Sequence, residues 1–130
     1  MKRLRLFAIF LLIFNGLSAI AGGGILIIDP QGYAIRIPVS ILQYSPFSNF
    51  LIPGILLFIF NGLSSLLIAW AVINRIQGYL WLVIFQGVAS ITWIVTQVVM
   101  IREIVLLHYI YGGIGLLFLV AGILLERYAD

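Results

Sequence analysis

Four stretches of this chain, 6–28, 50–73, 78–100 and 104–125, contain no Asp, Glu, Lys or Arg. A helix needs about 20 mostly apolar residues to cross roughly 30 Å of hydrocarbon, and each stretch is that long. Inside a bilayer the backbone N–H and C=O groups must bond to one another, so uninterrupted apolar runs of this length form helices. The sequence therefore predicts an all-α membrane protein, four transmembrane helices in an antiparallel bundle, with 1–130 as a single domain. Composition agrees. Hydrophobic residues make up 64% of the chain and charged residues 8%, against roughly 45–50% and about 25% in an average soluble domain.

The separators are 29–49, 74–77 and 101–103. The last two are tight turns, which makes helices two, three and four antiparallel neighbours. Cytoplasmic segments carry an excess of Lys and Arg. With the N-terminus inside, that side holds Lys2, Arg3, Arg5, Arg75 and Arg127, and the outer side holds Arg36 and Arg102. Both termini are therefore expected in the cytoplasm. A cleaved signal peptide, with Ala19-Ile20-Ala21 as its cleavage site, is the rival reading of the first segment. The uncharged run continues to residue 28, a spanning length, and favours an anchor.

The same distribution bears on partners. The net charge is +3, but beyond the N-terminus the basic residues stand singly, whereas a nucleic-acid surface needs them clustered. Nucleic acid is not an expected partner. The chain contains no cysteine, which removes disulfides, thiolate catalysis and cysteine metal sites. No span carries a carboxylate or fixed positive charge, a strong argument against a proton-coupled transporter.

Polar and small residues inside the spans form the candidate functional set. Ile13-Phe14-Asn15-Gly16-Leu17-Ser18 and Ile59-Phe60-Asn61-Gly62-Leu63-Ser64 are identical in type and order. Looser copies occur at Ile84-Phe85-Gln86-Gly87 and Ile110-Tyr111-Gly112-Gly113, so that duplication and chance both stand as explanations. Membrane helices associate through small residues that let backbones approach and through polar side chains that bond across the gap. Gly16, Gly62, Gly87 and Gly112 are the predicted approach points. Asn15, Asn61 and Gln86 lie roughly 13–18 Å from the inner helix ends at 1.5 Å per residue, and so are expected in one layer near the midplane.

Gln86, Ser90, Trp93 and Gln97 share a helical face. Helix four offers His108, Gly112, Gly115, Leu119 and Gly122 at similar spacing, so the two faces are expected to pair as a narrow polar seam. Most such amides fasten helices together, and the alternative is a ligand-binding seam. His108 is the only histidine, too few for most metal sites, and reads as a hydrogen-bonded packing residue. Asp29, Arg102 and Glu103 form an expected cluster at the outer face, with Arg102 and Glu103 as interfacial anchors. No nucleophile–base pair or phosphate cradle is evident, so the chain is read as non-enzymatic, with no cofactor and no metal.

The loop 29–49 is long and apolar for its position. Asp29-Pro30-Gln31-Gly32 reads as a β-turn, 33–37 as a short extended stretch, and 39–43 as a short helix opened by Pro38. Its aromatic and aliphatic side chains predict that it folds over the outer end of the bundle, as a plug or as a lid for a lipid, quinone or protein.

Gly22-Gly23-Gly24, Asp29-Pro30-Gln31-Gly32 and Ser45-Pro46-Phe47-Ser48-Asn49-Phe50-Leu51-Ile52-Pro53-Gly54 together resemble a family of small, uncharacterised bacterial four-span membrane proteins. Gln97-Val98-Val99-Met100-Ile101-Arg102-Glu103 resembles that family's third turn. The resemblance implies a multi-pass protein of the bacterial inner membrane and supplies no activity, cofactor or catalytic residue. Two functional readings follow. The first is an accessory subunit or self-associating bundle, partnered by the lipid bilayer and by another protein or a second copy. The other is a binder or carrier of a small hydrophobic molecule, a lipid or quinone, in the seam under the outer loop.

Overall fold

The computed structural model describes residues 2–33, 36, 38–101 and 106–128. Four helices form the molecule: α1 (Lys2–Ile28), α2 (Leu51–Ile73), α3 (Tyr79–Ile101) and α4 (Leu106–Tyr128). All four are long and apolar enough to cross a membrane. The expected spans agree with these to within a few residues. The one larger difference is at the start of α1, which takes in Lys2, Arg3 and Arg5, because charged residues at a membrane surface extend a helix already formed in the hydrocarbon.

α1 packs against α2 and α4, and α3 packs against the same two helices. The bundle is therefore a ring in which chain neighbours are spatial neighbours and α4 closes back on α1. Its apolar core fills the half nearer the termini. Leu11, Leu12, Ile68, Val72, Val83, Ile114 and Phe118 form one cluster, and Ala8, Ala121 and Leu125 continue it. Outside the ring, exposed Trp70 and Trp81 lie at the terminal end, and exposed Tyr33, Tyr44 and Tyr109 at the loop end. These are the two levels where amphipathic rings favour the membrane–water interface.

The helices meet at glycines. A Cβ on Gly16 would stand 2.8 Å from the Leu66 side chain and 3.1 Å from the Gly62 carbonyl, and one on Gly62 would stand 2.7 Å from Ile20 Cγ1. The contact is reciprocal, with each glycine facing the residue four beyond the other. α3 and α4 repeat it. Gly87 faces Leu119 at 2.9 Å and the Gly115 carbonyl at 2.9 Å, and Gly115 faces Ile91 at 2.9 Å. Gly115 and Gly122, not the expected Gly112, are approach points on α4. Gly112 meets only Ile94 at 3.8 Å, because the aromatic–glycine match that aligned it lies one turn away from the crossing.

The turn between α2 and α3 is closed by backbone bonds from Arg75 N to the Val72 carbonyl (3.2 Å) and from Ile76 N to the Ala71 carbonyl (3.0 Å). This is the helix-ending pair that normally places glycine in the left-handed position. Here Arg75 occupies it, at φ 51°. Replacing Arg75 by glycine is expected to raise stability by up to about 1 kcal/mol, read as a higher unfolding midpoint in detergent. An unchanged or lowered midpoint would mean the arginine side chain holds the turn in some other way.

At the opposite end, Gly32 N bonds the Asp29 carbonyl at 3.0 Å, the turn expected there. Tyr33 to Arg36 is a further turn (Arg36 N to the Tyr33 carbonyl, 3.2 Å) with Arg36 at φ 56°, so the expected extended stretch is broken at Arg36. Residues 34, 35 and 37 lie outside the described set. Val39–Leu42 forms a single 3-10 turn packed against α3, with Leu42 buried. Phe50 N bonds the Pro30 carbonyl at 2.8 Å, clasping the two ends of the loop above the bundle.

Candidate functional site

The middle of α2 is a π-helix, Leu57–Leu63. Such wide turns release carbonyls from the regular i to i−4 ladder and recur at functional positions. Two carbonyls of this segment receive side-chain amides from the flanking helices. Asn15 Nδ2 of α1 donates to the Asn61 carbonyl at 3.4 Å, and Gln86 Nε2 of α3 donates to the Phe60 carbonyl at 3.4 Å. The irregular turn and the two amides thus satisfy one another across α1, α2 and α3.

Serines complete the layer. Asn15 Nδ2 also donates to Ser65 Oγ (2.8 Å), Ser64 Oγ donates to Gln86 Oε1 (2.9 Å), Gln86 Nε2 to Ser90 Oγ (3.2 Å), and Ser90 Oγ to Asn61 Oδ1 (3.1 Å). Asn15, Asn61, Ser65, Gln86 and Ser90 are all buried, with Gln86 and Ser65 at 0% exposure. One atom is left over: Asn61 Nδ2 is buried and has no hydrogen-bond partner among the described groups.

Asn15, Asn61, Gln86 and Ser90 are therefore brought together, as expected of a single layer. The expected pairing of faces is met in part. Gly115, Leu119 and Gly122 of α4 do face α3, and a Cβ on Gly115 would stand 3.3 Å from Ser90 Cβ. The polar groups of Gln86 and Ser90, however, bond to α2. Ser64 and Ser65 were missed, although their place one turn beyond Asn61 was a usable signal. Trp93 and Gln97 lie further along α3, half-buried, and no hydrogen bond joins them to the layer. His108 is buried at the loop end of α4, away from the layer. Asp29 is half-buried just beyond α1, while Arg102 and Glu103 lie outside the described residues.

Among the described residues no group of three or more His, Cys, Asp and Glu side chains could hold a metal. A shallow cavity of about 360 Å³ opens in the loop, lined by Gln31, Gly32, Tyr33, Arg36, Pro38 and Val39. Fold and layer together define an all-α multi-pass membrane protein whose interior is fastened by a neutral amide–serine network. Comparison with protein-family models, curated proteins and solved structures found no match.

Proposed function

We propose that this protein acts by association, as a non-enzymatic accessory subunit or self-associating bundle of the bacterial inner membrane, with both termini in the cytoplasm. The resemblance to small bacterial four-span proteins and the five-to-two distribution of basic residues support that location. The observation that carries the functional reading is the division of labour among glycines. Gly16, Gly23, Gly54, Gly62, Gly87, Gly115 and Gly122 are each filled against a neighbouring helix, whereas a Cβ on Gly113 would meet nothing within 4 Å. A mid-helix glycine costs about 1 kcal/mol relative to alanine. Facing outward, it gives an approach point to a helix of another chain.

Native mass spectrometry of protein released gently from its own membranes tests this. A stoichiometric partner or a second copy is expected, and Gly113→Leu is expected to abolish that species while leaving stability unchanged or raised by up to about 1 kcal/mol, since a mid-helix glycine is replaced by a better helix former. A protein that is monomeric and partner-free before substitution would sink the reading. The loop cavity beside Tyr33 and Arg36 favours the second reading, a binder of a lipid or quinone, and the same spectrum would record it as a retained small mass.

A further inference from the structure

The hydrogen bonds of the polar layer have a direction. Ser64 donates to Gln86, Gln86 to Ser90, and Ser90 to Asn61 Oδ1. Ser90 Oγ accepts from Gln86 and donates to Asn61, so the Asn61 carboxamide stands with its oxygen toward Ser90. The relay therefore ends on a donor, Asn61 Nδ2, which is buried without a partner. Chains of this kind polarise along their length and strengthen the terminal donor. An amide N–H left unbonded in an apolar interior costs about 1–3 kcal/mol, and the middle of the span that carries it, 51–73, has no charged residue to compensate an ion.

We propose that Asn61 Nδ2 is a binding point for one neutral oxygen acceptor at the π-helical turn of α2. A buried water supplies that chemistry, as a common partner of otherwise unsatisfied interior polar groups. The proposal is independent of the association reading, since it concerns the interior and not the outward face of α4.

The test uses the full chain in phospholipid nanodiscs, labelled with ¹⁵N-asparagine. The side-chain amides of Asn15, Asn49, Asn61 and Asn74 are assigned by single substitution. Magnetisation transfer from water protons to the Asn61 amide is expected, and its absence overturns the proposal.

Discussion

Gly23→Ala is expected to be the most damaging single methyl that can be added to this bundle. The new Cβ would stand 2.7 Å from the Gly54 carbonyl oxygen, 2.8 Å from Phe58 N and 3.0 Å from Phe58 Cα. All three are backbone atoms, so no rotamer change relieves the contact and α1 must move away from α2. That separation would also strain the Asn15 bonds two turns below. Overpacking of this kind costs about 1–3 kcal/mol and occasionally more, and a backbone-only contact belongs at the upper end. Gly16→Ala is the control. Its closest neighbours are the Cδ2 and Cγ of Leu66 at 2.8 Å, a side chain that can turn aside, so a smaller loss is expected. Gly113→Ala, facing open space, is expected to be neutral or to stabilise by up to about 1 kcal/mol through helix propensity. Unfolding midpoints in detergent check the order, and a Gly23→Ala protein as stable as the Gly113→Ala protein would contradict the packing described here.

The spans were legible because the bilayer imposes a length and an apolarity that any chain must meet, and 6–28, 50–73 and 78–100 needed no tertiary information. The layer was legible in part. Asn15, Asn61 and Gln86 are conspicuous in apolar helices and sit at matching depth, so depth alone predicts that they meet. Which faces meet is a different matter. The spacing of Gln86 and Ser90 identifies a face of α3 but says nothing about which neighbour it looks toward, and α4, with His108 and several glycines, looked as suitable as α2. The π-helical turn of α2 carries the two carbonyls, of Phe60 and Asn61, that the amides of α3 and α1 bond. No residue type marks such a turn, and Leu57 to Leu63 reads as ordinary helix. Gly112 and Gly115 show the same limit at smaller scale. Both suit a close approach, and only the crossing point of two helices separates them.

The layer itself is tested most sharply at Gln86. This side chain is fully buried and joined to Ser64, Ser90 and the Phe60 carbonyl. Gln86→Leu keeps much of the volume and removes all of these bonds at once. Interhelical hydrogen bonds in membranes contribute about 0.6 kcal/mol on average and up to about 1.7, and the stranded partners add a share of their own. A total loss of about 2 kcal/mol is expected. Gln97→Leu, half-buried and unbonded on the same helix, is expected to change stability by less than about 0.5 kcal/mol. A double-mutant cycle separates the network from simple packing. If Gln86 and Ser90 act through one relay to Asn61, then Gln86→Leu and Ser90→Ala together should cost less than the sum of the two alone, by about 0.5 kcal/mol or more. Additive losses would mean that the Gln86–Ser90 bond has no energetic weight and that Gln86 fastens α2 to α3 without coupling through Ser90.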